Sequence, residues 1–366
     1  VITVTAKNKS ACIREMKKKE NEWNNIKNGL HIDSTDTVVS LCYRHLEYQV
    51  SNNDLKGKSI DRRECTIENQ ISGYDLGYLQ AQQVTPIDIE THVKLLISEN
   101  KVGASSIGKV VDVLIAAYEW AIRQGDMQQN PVRLVKTELS KKLKKLSVKG
   151  ADEADVVALS DEEIKLFEQE ATELHANGHE KYPAGMYCLL LLHTGMRVGE
   201  MIALRWRDWK GDYLVIEKSV STAKNRNKKS EDENNYISLE GSTKNQKARN
   251  IQLNREAKYI LWKLKHSRES CEQDDLIVPT KTGKMNTASN LEHRMKVIMK
   301  NAGLEDVKGG LHIFRKTFAT KMYENGARVE EIAAYIGDLP STTQKYYIAI
   351  RRKVVADGEM HQIVRL

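Results

Sequence analysis

One β-prone block constrains the fold of this chain more than any other feature. Tyr213–Val220 is rich in β-branched residues and alternates in polarity, and Tyr236–Leu239 and Ala248–Leu253 continue the β-prone pattern around a turn at Gly241–Gln246. Residues 221–235 are polar and charged without an apolar period, which predicts a loop. On both sides of the block, apolar residues recur at helical spacing. The pattern therefore predicts a mainly helical chain with one small β-sheet.

The stretch 34–136 predicts a separate helical domain. Asp36 can cap a first helix, and Thr85-Pro86-Ile87-Asp88 has the order of an N-cap, a proline at the first helical position and an acidic first turn. Gly125 is placed to end a long apolar-striped helix. These start and stop signals predict several short helices around one core.

Residues 137–158 predict a basic linker. Beyond it, Ser160 and Glu163 form a capping-box pattern that opens a second domain, residues 159–366. The lysines of the linker can be simply solvated or can lie along phosphates, and these two interpretations are compatible. Six lysines lie in the linker or directly before it: Lys136, Lys141, Lys142, Lys144, Lys145 and Lys149.

Composition narrows the class of partner and the compartment. A chain of 366 residues suits two or three domains, and a net charge of +7 suits a polyanionic partner without requiring one. The five cysteines are widely spaced and lack a C-x-x-C pair, which argues against a zinc site or a disulfide framework and favours a reducing cytosol. The longest apolar stretch, Tyr187–Leu192, is too short to span a bilayer, and the N-terminus lacks a signal-peptide pattern.

Three short motifs carry candidate chemistry. In the first, an apolar helix ends at Gly195 and Arg197 stands near the start of the next helix, with Glu200 on the same face. An arginine at a helix N-terminus is suited to hold a phosphate. In the second, His312 and Arg315 share one helical face and can bind or protonate phosphate oxygens. Each of these motifs alone is more often an ordinary surface feature.

The third motif is a turn at Gly337 that launches a helix bearing Tyr346 and Tyr347. Taken in order, the three motifs resemble the tyrosine recombinase family, which includes phage lambda integrase, Cre and the Xer proteins. The family pattern T-G-x-R-x-x-E-x-x-x-L-x-W is matched from Thr194 to Trp206, and H-x-x-R, T-F-A-T, I-G, T-T-Q and a tyrosine follow at the expected separations. The resemblance covers about residues 150–350.

The resemblance implies a two-domain, C-shaped DNA clamp. Residues 34–136 correspond to a SAM-like helical core-binding domain, and residues 159–366 to the catalytic domain with a small antiparallel sheet and a C-terminal exchange helix. Residues 1–33 resemble, more weakly, the end of an N-terminal arm-binding domain.

It also implies a function: a site-specific recombinase or integrase that cleaves and rejoins DNA through a 3′-phosphotyrosyl intermediate, without ATP, metal or cofactor. The expected partners are double-stranded DNA with specific core sites, a homo-tetramer on paired sites and accessory DNA-bending or excision factors, with no membrane. A bacterial, nucleoid-associated cytoplasmic protein of a phage or transposon fits this function. A type IB topoisomerase-like strand transferase and a catalytically weak DNA-binding relative are the alternatives.

Residue roles follow from the resemblance. Arg197 and Arg315 would clamp the phosphate, and Glu200 would support Arg197. Lys244, in Thr243-Lys244-Asn245 before Arg249, fits the lysine of the family's β-hairpin turn better than Lys224 does, and it would protonate the leaving oxygen. His312 would assist proton transfer. Among the linker lysines, the candidates for DNA contact are Lys141, Lys142, Lys144 and Lys145.

Three details of the pattern stay open or depart from the family. Counting from the I-G turn selects Tyr347 as the nucleophile, whereas aligning the T-T-Q stretch selects Tyr346, and we prefer Tyr347. Asp338 stands where the family usually has His or Trp, and it either turns away to cap the next helix or makes cleavage weaker or more regulated. Ile313 replaces the usual aspartate after the histidine.

Overall fold

The computed structural model divides into two compact units, Val1–Ala154 and Asp155–Leu366. It describes residues 36–52, 55–151, 158–226, 235–242 and 248–344. The predicted arm-domain remnant and the exchange helix lie outside these ranges. None of the helices in the described ranges is long and apolar enough to cross a membrane.

The first unit is helical, and its helices enclose one apolar core. The predicted start signal at Thr85 is confirmed, because its side chain accepts a hydrogen bond from the Asp88 amide while the Asp88 carboxylate accepts from the Thr85 amide. Gly125 ends its helix in the left-handed conformation, also as predicted. The helices are α1 (Val38–Ser51), α2 (Gly57–Gln70), α3 (Asp75–Tyr78), α4 (Pro86–Glu99), α5 (Ala104–Gln124) and α6 (Pro131–Ala151).

The predicted cap of the first helix was wrong by one residue. Thr37, and not Asp36, is the N-cap of α1, and its side chain accepts a hydrogen bond from the Ser40 amide. The Asp36 carboxylate instead pairs with Arg44 at 2.6 Å. Asp36, which the sequence predicted as the cap, therefore forms an ion pair with Arg44 two turns along the helix.

The segment predicted as the start of the linker is helical. Helix α6 continues to Ala151, so most of residues 137–158 extends the first unit. Its lysine-rich composition hides an apolar stripe at helical spacing, which is buried in the core of the unit. The stripe consists of Val132, Val135, Leu139 and Leu143. The lysines Lys141, Lys142, Lys144 and Lys145 are exposed on the same helix.

The second unit has helices around a larger core and two small sheets. The predicted capping box of Ser160 and Glu163 is confirmed, and the helix that it opens packs Phe167 against Phe314 with ring centroids 4.9 Å apart. The helices are α7 (Asp161–Ala171), α8 (Gly185–Thr194), α9 (Val198–Ala203), α10 (Arg255–His266), α11 (Ala288–Asn301), α12 (His312–Glu324) and α13 (Val329–Ile336).

The strands are antiparallel, which confirms the predicted fold class of helices with a small antiparallel sheet. Their pairing differs from the arrangement that the sequence predicted. The predicted strand 213–220 breaks at Glu217, and the predicted loop begins only after a second strand has run to Lys224. Each half of the broken strand has its own partner, so the two later strands do not pair with each other. The strands are β1 (Tyr213–Ile216), paired with β4 (Arg249–Gln252), and β2 (Lys218–Lys224), paired with β3 (Tyr236–Ser242).

The polar hairpin β2–β3 explains why residues 221–224 were predicted as part of the loop. Backbone hydrogen bonds hold a two-stranded hairpin whose faces are largely exposed, so it needs few apolar side chains. On β2, only Val220 and Ala223 are buried. The apolar alternation that identifies a half-buried strand is therefore weak here.

Gly195 lies in the turn between α8 and α9, and substituting it tests how much this turn contributes to stability. It has a φ of 61°, and a Cβ there would lie 2.4 Å from Cδ1 of Phe318, whose ring stacks on Tyr335. We expect Gly195→Ala to lower the free energy of unfolding by about 3 kcal/mol, through left-handed strain and overpacking together. Urea unfolding of the whole chain measures the change.

Gly178→Ala is the matched control for this prediction. Gly178 has a φ of 78° with nothing within 4 Å of its added Cβ, so only the backbone strain of about 1 kcal/mol should appear. Equal losses in the two variants would contradict the role of the Phe318 contact.

Candidate active site

Arg197 is the N-cap of helix α9, directly after the left-handed turn at Gly195. Its Nη1 donates to Oε1 of Glu200 at 2.9 Å, and its amide donates to Oε2 of the same carboxylate at 2.9 Å. The Glu200 carboxylate therefore contacts both the side chain and the backbone of Arg197. The Arg197 amide is thus bound to the Glu200 carboxylate and does not face a phosphate site.

Glu200 has a second arginine partner that the sequence analysis did not place in the site. Arg249, the first residue of β4, donates from Nη1 and Nη2 to the two carboxylate oxygens at 2.9 and 2.6 Å. Burial alone would raise the pKa of Glu200, which is 1% exposed, but its bonds to Arg249 and Arg197 hold the pKa below its ordinary value. The only sequence signal for Arg249 was its place after the candidate lysine.

Arg249 also reaches the turn that carries Asp338. Its Nε donates to the carbonyl of Tyr335 at 3.3 Å, near the end of α13. Gly337 follows with a φ of 70°, and a Cβ on it would lie 2.9 Å from that same Nε. A glycine is thus required here both for the left-handed backbone and for the close approach of the guanidinium.

Arg315 lies on the first turn of α12 and is 3% exposed. Its Nη1 donates to the carbonyl of Gly195 at 2.8 Å, and its Nη2 donates to the carbonyl of Ile336 at 2.7 Å. These carbonyls lie at the C-terminal ends of α8 and α13, where unpaired acceptors and the helix dipoles favour a cation. Two helix ends therefore position one buried guanidinium.

Asp338 joins the two arginines of the predicted clamp. Its Oδ1 lies 2.6 Å from Nη2 of Arg197, and its Oδ2 lies 2.6 Å from Nη2 of Arg315. Of the two alternatives for Asp338, the one in which it turns away to cap the next helix does not hold, because two guanidinium groups attract the carboxylate more strongly than backbone amides do. Desolvation would raise the pKa of Asp338, but its bonds to Arg315 and Arg197 lower it, so the group is ionised at neutral pH.

His312 is the first residue of α12, one turn before Arg315, and it is exposed. Desolvation of its ring, followed by the charges of Arg315 and Lys316, lowers its pKa. The imidazole is therefore neutral at pH 7 and can accept a proton. The next residue, Ile313, stands at the position of the aspartate in the family pattern and is buried in the core of the unit.

The structure does not describe three of the predicted site residues. Lys244, Tyr346 and Tyr347 lie outside the described residues, in the stretches 243–247 and 345–366. Residues 340–344 are helical and lead toward the two tyrosines. Lys224, the alternative to Lys244, ends strand β2.

The described cluster is cationic and suited to an anion. Three arginines, Arg197, Arg249 and Arg315, face two carboxylates, Glu200 and Asp338, which leaves an excess of positive charge. Within the described ranges no group of three His, Cys, Asp or Glu side chains could hold a metal ion. Guanidinium groups aimed at a common acceptor can stabilise charge that develops on a phosphate.

Comparisons with known proteins identify relatives of this chain. Residues 158–352 match the model of the phage integrase family. A tyrosine recombinase XerC-like protein of Caldanaerobacter subterraneus subsp. tengcongensis is 23% identical over 87% of this chain and 81% of its own length. The tyrosine recombinase XerD of Proteus mirabilis is 25% identical over 76% of this chain and 79% of its own length.

Solved structures show the same fold at low identity. The Tn1549 transposon integrase in complex with transposon right end DNA aligns with a TM-score of 0.67 at 17% identity, over 88% of this chain and 99% of that one. A lambda integrase tetramer bound to a Holliday junction aligns with a TM-score of 0.58 at 17% identity, over 92% and 89% of the two chains.

The pairing of Glu200 with Arg249 gives a testable consequence. We expect Arg249→Met to lower the free energy of unfolding by about 3 kcal/mol at pH 7, because a buried carboxylate loses one of its two cations. The depressed pKa of Glu200 contributes stability above its unfolded value, and this stability is lost as the pH falls through the lower folded value. The variant should therefore lose less stability than the wild type on acidification below about pH 4.5.

Arg207→Met is the matched control, since Arg207 pairs with the exposed Asp274. We expect it to change the free energy of unfolding by less than about 1 kcal/mol. Denaturant unfolding at several pH values measures both variants. If the free energy of unfolding had the same pH dependence in the wild type and in Arg249→Met, the pairing of Glu200 with Arg249 would be contradicted.

Proposed function

This chain belongs to the phage integrase family, and from that premise we propose that it is a site-specific tyrosine recombinase that cleaves and rejoins DNA. One observation carries the proposal: Arg197 and Arg315, from distant parts of the sequence, converge on a single anionic group, the Asp338 carboxylate. Two guanidinium groups aimed at one acceptor suit the non-bridging oxygens of a phosphodiester.

The reaction starts with a tyrosine hydroxyl, which we assign to Tyr347. Its oxygen attacks the scissile phosphorus, a 3′-phosphotyrosyl bond forms, and the bond to the 5′ oxygen breaks. A 5′-hydroxyl of the partner strand then attacks this linkage and restores both the phosphodiester and the free tyrosine. The phosphodiester energy is conserved in the covalent intermediate, so ATP is not consumed.

The remaining site residues have distinct roles in this scheme. Arg197 and Arg315 donate to the non-bridging oxygens as negative charge develops, and Glu200 holds Arg197 in place. His312, neutral at pH 7, accepts the tyrosine proton or assists its transfer. Lys244 protonates the leaving 5′ oxygen. Removing either arginine should slow cleavage by roughly 10²–10³, the usual effect of losing one preorganised donor.

The substrate we propose is double-stranded DNA with specific core sites, from a phage or a transposon, in a bacterial cytoplasm. The two structural neighbours bind DNA, and one of them is a tetramer on a Holliday junction, which supports a homo-tetramer acting on paired sites. A C-terminal helix within residues 358–366 is proposed to join the protomers. We also propose accessory DNA-bending or excision factors as partners.

A catalytically weak DNA-binding relative is the second candidate, and Asp338 is the observation that favours it. An ionised carboxylate cannot donate to the scissile phosphate, as the histidine or tryptophan usual in the family can. Formation of a covalent complex separates the two candidates. A type IB topoisomerase-like activity would instead relax supercoils without joining two paired sites.

The nucleophile can be identified with a nicked suicide duplex, which traps the covalent intermediate. We expect Tyr347→Phe to bind this duplex with the affinity of the wild type and to form no covalent complex, because only the attacking oxygen is lost. Denaturing electrophoresis detects the complex. Tyr346→Phe is the matched control and should retain cleavage, since the predicted helix would point adjacent side chains about 100° apart.

A covalent complex formed by Tyr347→Phe but not by Tyr346→Phe would transfer the role to Tyr346. Absence of any complex with the wild-type protein, despite tight binding, would favour the DNA-binding relative.

The exposed lysines of α6 give a separate prediction about DNA binding. Replacing all four with glutamine should weaken affinity uniformly across sequences and flatten its salt dependence by roughly 0.9 per lost phosphate contact. The substituted residues are Lys141, Lys142, Lys144 and Lys145. A control variant replaces other exposed lysines of the same unit: Lys56, Lys58, Lys94 and Lys101. If the salt dependence of affinity were equal in the two variants and the wild type, the four lysines of α6 would be solvated groups without phosphate contacts.

A further inference from the structure

The arginine pair is held from one side by backbone carbonyls and from the other by Asp338. Nη2 of Arg197 donates to the carbonyl of Gly337 at 2.7 Å and to Asp338 at 2.6 Å. Nη2 of Arg315 donates likewise to the carbonyl of Ile336 at 2.7 Å and to Asp338 at 2.6 Å. Each Nη2 carries two hydrogens, so Asp338 and a carbonyl together occupy both hydrogens of each nitrogen.

We propose that Asp338 is a positioning residue that takes the place of the scissile phosphate in the DNA-free protein and is displaced when that phosphate binds. Its two oxygens receive one hydrogen bond from each arginine, which is how two oxygens of a phosphate would be shared between them. The carboxylate thus keeps the two guanidinium groups at the separation that the reaction needs. The inference rests on the proposed function for the identity of the incoming anion.

The exposure of the two side chains shows from which side a phosphate can replace Asp338. The Arg315 side chain is 3% exposed, whereas the Asp338 side chain is 27% exposed. The carboxylate therefore forms the more accessible part of the cluster, and an anion from solution meets it before it meets Arg315. Asp338 also lies between the end of α13 and the helical residues 340–344, outside regular structure, where a small backbone change can withdraw a side chain.

Displacement, and not protonation, must free the arginines. The arginines keep Asp338 ionised at neutral pH, so it both repels an incoming phosphate and holds the donors that the phosphate needs. Phosphate affinity is therefore lower than the arginine pair alone would give. In exchange, the arginines are already oriented when DNA arrives, and the buried Arg315 is not left without a counter-charge.

The test compares wild type and Asp338→Asn, an isosteric variant without the charge. Thermal unfolding is followed while inorganic phosphate is titrated at constant ionic strength. In phosphate-free buffer the variant should melt at a lower temperature than the wild type, because Arg315 loses its carboxylate partner and Arg197 keeps only Glu200. Phosphate should narrow this gap, and its half-saturating concentration should be roughly tenfold lower for the variant, the factor that about 1.4 kcal/mol of binding free energy gives.

Two further variants keep the result interpretable. Asp212→Asn removes an exposed carboxylate that pairs with Lys258, and it should respond to phosphate as the wild type does. Asp338→Glu retains the charge and should keep the half-saturating concentration near that of the wild type. If Asp338→Asn does not fold, Asp338→His replaces it and should likewise bind phosphate more tightly than the wild type.

A melting-temperature gap that is independent of phosphate, or equal half-saturating concentrations for the wild type and the neutral variants, would overturn the proposal and leave Asp338 as a structural ion-pair partner. Because inorganic phosphate is the probe, this outcome is independent of DNA cleavage. Failure of the proposed function would appear elsewhere, as a wild-type protein that forms no covalent complex on the nicked suicide duplex.

Discussion

Glu200 is a carboxylate buried at 1% exposure between the guanidinium groups of Arg197 and Arg249. A buried acid of this kind is tolerated only when its charge and its hydrogen-bonding capacity are both satisfied. Satisfying it brings the start of α9 and the start of β4 together. Through Arg249, which also contacts the Tyr335 carbonyl, the same carboxylate is linked to the turn at Asp338. The geometry of the cluster therefore depends on this one acid.

Helix ends supply the second part of the frame. Arg315 is bound by carbonyls at the ends of α8 and α13, and Arg197 donates to the carbonyl of Gly337 just beyond α13. These acceptors are left unpaired by the helices themselves, so an arginine both completes their hydrogen bonding and meets the negative end of the dipole. Both helices end at a left-handed glycine, which turns the chain sharply enough to expose the carbonyls. The arginines are thus oriented by backbone groups that cannot change rotamer.

This frame explains how a recombinase site can accommodate an aspartate at a position where the family usually has a hydrogen-bond donor. Glu200 is shared between Arg249 and Arg197, and it forms no ion pair with Arg315. Asp338 supplies a counter-charge to both Arg197 and Arg315, at 2.6 Å from each. The substitution is therefore compatible with the fold, and its consequence lies in competition with phosphate and not in disruption of the arginine pair.

Sequence alone determined the helical character, the capping boxes at Thr85 and Ser160, and the candidates Arg197, Glu200 and Arg315, because these depend on local spacing and on motifs read along the chain. Tertiary structure decided the strand pairing, the burial of the apolar stripe of the lysine-rich helix α6, and the partners of Arg249 and Asp338. Each of these depends on contacts between segments distant in sequence. Asp338 shows the difference: its side chain could cap a local helix, but two arginines brought there by other elements offer stronger bonds.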